Sequence, residues 1–175
     1  AGPVRLRRML EDLGATAMKL GQVLSTRPDL VAPAYEVELA RLQDAGPHVA
    51  SSAIVAAVEA ALGRPIDRAF ASFDPEPIAA ASIGQVHAAR LADGTSVVVK
   101  VRRPGVVEQV ETDLTVLARL AALVARVPQV ARYDPVGLAD EFATTLRAEL
   151  DYEREAANAA AVAAGFADDT RIHVP

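Results

Sequence analysis

The feature that most constrains the fold of this chain is a pair of strand-like runs on either side of a tight turn. Residues 86–91 and 96–101 alternate in polarity or carry β-branched side chains, and Ala92-Asp93-Gly94 lies between them. Two such runs around a glycine-containing turn predict an antiparallel β-hairpin. The stretches on both sides of the hairpin have helical periodicity, so the sequence predicts an α+β fold with a small antiparallel sheet.

Helical spacing of apolar residues accounts for most of the remaining chain. The predicted helices are residues 3–24, about 34–43, 54–62, 106–127 and about 136–164. Ser51 or Ser52 is expected to cap the third helix, and Gly63 is expected to end it. Apolar residues make up 51% of the chain and aromatic residues only 4%, so Ala, Val and Leu must build the core.

Composition excludes several classes of protein. A net charge of −5 argues against nucleic-acid binding, because phosphate backbones are held by clustered Lys and Arg. The chain has no cysteine, which excludes disulfides and thiolate metal ligands. The three histidines, His48, His87 and His173, lie far apart without the spacing of metal ligands, so no metal site is predicted in this chain.

No membrane span or signal peptide is expected from the hydropathy pattern. The most apolar stretch, residues 114–127, is interrupted by two arginines and is too short to cross a bilayer. We therefore expect a protein that is cytoplasmic or peripheral to a membrane. The chain begins with Ala and ends in the strand-like RIHVP, which predicts a piece of a longer protein.

A lysine lies within the second predicted strand of the hairpin, in SVVVKVRRPG. Because side chains alternate along a strand, Val98, Lys100 and Arg102 point to one face and the odd-numbered valines to the other. A strand lysine is usually solvated. The stretch that precedes the hairpin suggests a second interpretation for Lys100.

That stretch is AAASIGQVH, residues 79–87. Laid over the glycine-rich phosphate loop of protein kinases, Ala79 and Ala81 take the places of the first two glycines, Gly84 the third and Val86 the valine. A lysine returning under such a loop holds nucleotide phosphates. The alternative is a strand edge with small residues packed against a helix. The candidate nucleotide-binding residues are Ala79, Ala80, Ala81, Ser82, Ile83, Gly84, Gln85, Val86, Val98 and Lys100.

A carboxylate that orients the lysine is the third requirement of such a site. The predicted helix contains four candidates in AELDYEREAANAA, namely Glu149, Asp151, Glu153 and Glu155. On one continuous helix Asp151 and Glu155 share a face, whereas Glu149 and Asp151 point in nearly opposite directions. The alternative is a solvated face on which these acids pair with Arg147 and Arg154.

Taken together, these motifs resemble the ABC1/UbiB family of atypical, protein-kinase-like proteins over nearly the whole chain. Lys19, Gly21 and Gln22 in KLGQ resemble the family's KxGQ signature, and Glu149 with Asp151 resembles its ExD motif. AAASIGQVH is similar to the alanine-rich loop that replaces the glycine loop. The resemblance implies catalytic roles for Lys100 and for Glu155, which would pair with it. Lys19 and Gln22 would face the ExD acids.

The resemblance also implies a domain organisation. Residues 1–65 would form a helical extension with the KxGQ motif, and residues 66–175 a protein-kinase-like N-lobe with an αC-type helix. A helical insert would occupy about 106–147. The C-lobe, with the catalytic loop and the DFG-type metal-binding motif, would lie outside this chain.

The family implies ATP or ADP with Mg²⁺ as ligands, with the metal ligands mainly in the C-lobe. The function implied is that of an atypical kinase or ATPase that supports isoprenoid quinone biosynthesis or lipid homeostasis, with lipid or quinone-biosynthesis proteins as partners. A catalytically inactive, nucleotide-responsive scaffold is the second hypothesis. A helical domain with an incidental hairpin is the third.

Overall fold

The fold was analysed in a computed structural model that describes residues 2–44, 49–167, 169, 171–172 and 174. The chain forms two compact units, one ending at Val116 and the other beginning at Leu117. His48 and His173 lie outside the described residues. The predicted division at residues 65 and 66 stays a prediction.

Four helices and one 3-10 helix precede a short helix and the sheet in the first unit. They are α1 (Gly2–Leu13), α2 (Ala15–Ser25), α3 (Pro33–Leu39), the 3-10 helix (Ala40–Asp44), α4 (Ser51–Leu62) and α5 (Ile66–Ala69). The single helix predicted over 3–24 is wrong, because Gly14 adopts a φ of 96° and separates α1 from α2. Only glycine reaches that conformation without a steric penalty, so the chain can turn there.

The helices of the extension enclose their own core. Its buried members come from α1, α2, α3 and the 3-10 helix: Leu10, Met18, Leu39 and Leu42. Half-buried Leu6, Leu24 and Tyr35 pack around them. Helices α1, α2, α3 and the 3-10 helix therefore share one hydrophobic core.

Helix α4 ends as the sequence predicts and begins differently. Gly63 lies in the left-handed region, with φ 63° and ψ 22°, which confirms it as the helix stop. The predicted serine cap is wrong, because Ser51 and Ser52 are already helical and Ala50 occupies the cap position without a side-chain bond.

Three antiparallel strands form the sheet in sequential order: β1 (Ser72–Ala80), β2 (Gly84–Arg90) and β3 (Ser96–Arg102). The predicted hairpin is confirmed as β2 and β3, and Gly94 takes a φ of 88° in the turn between them. Strand β1 was not predicted. It contains Pro75 and Pro77 and pairs with β2 through two irregularities in register, as an edge strand can.

One face of the sheet is packed and the other carries Lys100. Ile54 and Val58 of α4 form a buried cluster with Val101 of β3, and Phe70 and Phe73 pack against them. The alternation of β3 places Val98 and Lys100 on the opposite face. Helix α4 therefore supports the sheet from behind that face.

Helices follow the sheet: α6 (Val106–Val124), α7 (Pro128–Ala131), α8 (Pro135–Leu150) and α9 (Tyr152–Gly165). The helix predicted over about 136–164 is interrupted at Asp151, whose φ of −90° and ψ of 83° are not helical. Helix α8 buries a single stripe of side chains, whereas none of the residues of α9 is buried. Within the described residues, no helix is long and apolar enough to cross a membrane.

Candidate functional site

Lys100 projects from the open face of the sheet. Val98 on the same face is 65% exposed, and Lys100 is exposed as well. Val86 of β2 lies directly opposite Lys100 in the register, so its side chain shares this face. The alternation predicted for β3 is confirmed. An apolar surface beside a cation suits a nucleotide, which has an apolar base and anionic phosphates.

The alanine-rich stretch forms a tight connection next to this face. Ala79 and Ala80 end β1, residues 81–83 make the turn, and Gly84 begins β2. Ala79 lies opposite Val86, which is itself opposite Lys100. The sheet therefore brings the predicted phosphate loop and the predicted lysine together within one unit.

Backbone hydrogen bonds close this turn. The Ala81 N–H donates to the Gly84 carbonyl at 2.8 Å. Ser82, Ile83, Gly84 and Gln85 are buried. The connection is thus a packed turn rather than an open flap.

Arg103 holds the turn from the end of β3. Its backbone N–H donates to the Ile83 carbonyl at 3.0 Å, and its guanidinium Nη2 donates to the Ala81 carbonyl at 2.6 Å. Burial lowers the pKa of the Arg103 guanidinium from its ordinary value. The sequence offered little signal for this role, because Arg103 is simply the second member of a basic pair after the lysine strand.

Two buried polar side chains lie on the packed face behind the turn. Gln85 is 1% exposed, and both polar atoms of its side chain are without a partner among the described residues. His87 is fully buried, stacks on Phe73 with ring centroids 5.2 Å apart, and donates from Nδ1 to the Asp74 carbonyl at 2.9 Å. The Gln85 side chain therefore faces away from Lys100, and the predicted role of Gln85 in nucleotide binding stays a prediction.

The KxGQ residues are built into the packing of the extension. A Cβ on Gly21 would lie 2.8 Å from Cδ1 of Leu10 and closer still to Cδ1 of Leu42. Gln22 donates from Nε2 to the Leu42 carbonyl at 2.9 Å. Lys19 is half-buried on the same helix. Glycine and glutamine thus fix α2 against the 3-10 helix.

A carboxylate joins α2 to the helix that follows the lysine strand. The Thr16 hydroxyl donates to Oδ2 of Asp113 at 2.6 Å, and Gln109 donates to Oδ1 at 2.8 Å. Thr16 is buried and Asp113 is half-buried. Residues 103–105 connect β3 to α6, so α2, which carries Lys19 and Gln22, is tied to the helix that follows the lysine strand.

The predicted acids lie around the break between α8 and α9. Asp151 is the N-cap of α9 and accepts the Arg154 N–H at 2.9 Å. The helical-face argument that related Glu149 and Asp151 is therefore wrong, because no continuous helix joins them. Glu155 is exposed in the first turn of α9. These acids belong to the second unit, and their predicted pairing with Lys100 and Lys19 stays a prediction.

No metal site can be assembled from the described ranges, in which no group of three His, Asp or Glu residues is disposed to hold an ion. The prediction that Mg²⁺ ligands come mainly from a C-lobe is therefore not tested by this structure.

Comparison with known proteins gives the family. The model of the ABC1 atypical kinase-like domain matches residues 41–175. A relative from Aeromonas salmonicida, named probable protein kinase UbiB, is 43% identical over 98% of this chain and 32% of its own length. The uncharacterized protein sll0005 of Synechocystis is 39% identical over all of this chain and 26% of its own length. The chain thus spans about a third of the length of the UbiB relatives.

A solved structure agrees with the sequence comparison. The complex structure of Rv3197 with erythromycin, from Mycobacterium tuberculosis, matches with a TM-score of 0.62 and 33% identity, over 98% of this chain and 44% of that chain. The predicted α+β, kinase-like N-lobe fold is confirmed. The matched domain, the full-length relatives and the order of motifs agree, and this chain belongs to the ABC1 family of atypical kinase-like proteins.

Proposed function

We propose that this chain is the nucleotide-binding portion of an atypical kinase or ATPase. The observation that carries the proposal is that exposed Lys100 lies directly opposite Val86. Val86 follows the closed alanine-rich turn by two residues of β2. A lysine beside a phosphate loop neutralises phosphate charge. The partly exposed apolar side chains of Val86 and Val98 would contact the nucleobase. ATP or ADP with Mg²⁺ is the proposed ligand; bound Mg²⁺ would neutralise phosphate charge, with its own ligands expected mainly from a C-lobe.

Glu155 is the proposed partner that orients Lys100, and the ExD acids Glu149 and Asp151 are the proposed partners of Lys19 and Gln22. The support comes from the order of these motifs along the chain and from the family match. For Asp151, the structure adds a local role as the cap of the helix that bears Glu155.

The cellular role that we propose is support of isoprenoid quinone biosynthesis or lipid homeostasis, at the surface of a membrane and together with lipid or quinone-biosynthesis proteins. Its support is the resemblance of the motifs to the UbiB family and the similarity to relatives that carry the UbiB name. Quinone content in cells that lack the full-length protein, complemented with wild type or Lys100→Ala, tests this role. Wild-type quinone content in the cells that lack the protein, or no rescue by the wild-type protein, would contradict this role, whereas equal rescue by both proteins would contradict only the part of Lys100.

A titration of the full-length protein with Mg-ADP and Mg-ATP tests nucleotide binding directly. We expect Lys100→Ala to abolish binding or turnover, because the phosphates lose their cation. The matched control is Ser96→Ala, which changes an exposed residue on the same strand and the same face. Unchanged affinity and turnover in Lys100→Ala would remove Lys100 from the site.

One observation favours the second candidate, a nucleotide-responsive scaffold without turnover. The Ala81 N–H donates to the Gly84 carbonyl, so this donor is already engaged within the turn and cannot simultaneously point at a phosphate. Phosphate loops depend on such backbone donors. A full-length protein that binds Mg-nucleotide through Lys100 but neither hydrolyses it nor transfers phosphate would establish the scaffold instead of the enzyme.

A further inference from the structure

A single residue, Arg103, binds two of the three carbonyls of the alanine-rich turn. Arg103 donates its backbone N–H to the Ile83 carbonyl at 3.0 Å and its Nη2 to the Ala81 carbonyl at 2.6 Å. The first bond continues the β2–β3 ladder by one step beyond the pair of Gly84 and Arg102. The second reaches across the turn to the end of β1. The turn therefore cannot shift relative to β3 without breaking a contact to Arg103.

The hydrogen bond from the Arg103 guanidinium to the Ala81 carbonyl is charge-assisted. Hydrogen bonds with an ionised donor are shorter and about twice as strong as those between neutral groups. Arg103 forms no ion pair with a carboxylate among the described residues, and its Nε is buried without an acceptor there. The Ala81 carbonyl is thus the acceptor that the structure provides for this charge.

The bond also sets the direction of a backbone donor. In a trans peptide the C=O and the next N–H point in opposite directions. Fixing the Ala81 carbonyl on Arg103 therefore fixes the Ser82 N–H, which points in the opposite direction within the same peptide plane. Backbone N–H groups are what a phosphate loop offers its ligand, and their preorganisation decides how well they act.

Arg103 lies three residues after Lys100, immediately beyond the end of the same strand. Because Arg103 bonds to the turn, it sets the position of the turn relative to Lys100. Alanine at positions 79 and 81 restricts the backbone compared with glycine. The two hydrogen bonds from Arg103 hold this restricted turn in one conformation.

We propose that Arg103 is a positioning residue for the nucleotide site: it holds the turn of residues 81–83 in its binding conformation without contacting the nucleotide. The inference rests on the proposed function, because it assumes that the turn binds phosphates.

The test uses the full-length protein with Arg103→Met, which removes the guanidinium but keeps the backbone bond to Ile83. The matched control is Arg90→Met. Arg90 lies at the other end of β2 and also donates to a carbonyl of a turn in this sheet, that of Gly94 at 3.3 Å. Mg-ADP and Mg-ATP dissociation constants are measured for both, together with thermal unfolding and the amide hydrogen exchange of residues 79–86.

We expect Arg103→Met to bind nucleotide about tenfold more weakly, the effect of losing one charge-assisted hydrogen bond. Exchange of residues 79–86 should be faster without nucleotide. Arg103→Lys, which keeps the charge and a donor, should recover part of the affinity, and Arg90→Met should match wild type. A purely structural role would lower the unfolding temperature but leave the affinity of the folded fraction unchanged.

Two results would overturn the inference. One is a folded Arg103→Met protein with wild-type affinity. The other, which decides the matter if Arg103→Met does not fold, is an Arg103→Lys protein with wild-type affinity and faster exchange in the turn. Failure of the proposed function gives a different result, since the wild-type protein itself would then bind neither nucleotide.

Discussion

Gly21→Ala tests whether the glycine of the KxGQ motif serves packing. The Cβ that the substitution adds would come within 3 Å of two leucine methyl carbons, Cδ1 of Leu10 and Cδ1 of Leu42. Leu42 is fully buried and Leu10 is 6% exposed, so neither can swing into solvent. Helix α2 must then move away from the core of the extension, or the leucines must leave their preferred rotamers.

The magnitude follows from two opposing effects. Overpacking a filled core costs about 1–3 kcal/mol, and two simultaneous close contacts place this case in the upper part of that range. Alanine is favoured over glycine within a helix by about 1 kcal/mol. We therefore expect Gly21→Ala to lower the free energy of unfolding by about 1–2 kcal/mol.

Urea denaturation of the full-length protein, followed by circular dichroism, measures the change. Gly165→Ala is the matched control, because Gly165 is also helical and its added Cβ meets no atom within 4 Å. That variant should be as stable as wild type or slightly more stable. In the double variant Gly21→Ala with Leu42→Val, the shorter side chain should offset part of the effect of the added methyl.

The reasoning is refuted if Gly21→Ala and Gly165→Ala change stability equally. Wild-type stability combined with altered nucleotide binding would show that Gly21 acts on the site and not on the packing of α2.

Two further predictions concern the first unit. Thr16→Val removes the donor to half-buried Asp113 and should lower the free energy of unfolding by about 1.5–3 kcal/mol, the usual value for a hydrogen bond to a charged group. Thr16→Ser keeps the hydroxyl and should be close to wild type. Equal urea midpoints for the two variants would contradict this. The hydrogen bond from Arg7 holds the pKa of Glu38 below its ordinary value. The charged carboxylate therefore stabilises the fold above about pH 4.3, and that stabilisation is lost as the pH falls through the lowered pKa. Glu38→Gln should show a flatter loss of thermal stability in acid, and an unchanged acid limb would exclude this contribution.

The parts of the fold that the sequence predicted correctly depend on neighbouring residues. The β2–β3 hairpin follows from alternation around a glycine turn, and Gly63 ends α4 because glycine tolerates the left-handed conformation. Strand β1 was missed because its two prolines argue against a strand until its place at the sheet edge is known. The break at Gly14 was missed because the helical period continues across it.

Some residues of the candidate site could be predicted from local sequence, and others could not. Lys100 and the alanine-rich stretch could be found from spacing along one hairpin, since a strand fixes which side chains share a face. Arg103 could not, because its acceptor, the Ala81 carbonyl, is 22 residues away and is reached only when three strands have assembled.

The sequence by itself determined the hairpin, the exposed face of Lys100 and the helical nature of the flanking segments. These depend on local backbone preferences and on the two-residue period of a strand. Only the tertiary structure decided that Gly21 sits against Leu10 and Leu42, that Arg103 anchors the turn and that Asp151 caps a separate helix. The physical reason is that close packing and side-chain hydrogen bonds depend on which distant residues meet, and periodicity along the chain carries no information about that choice.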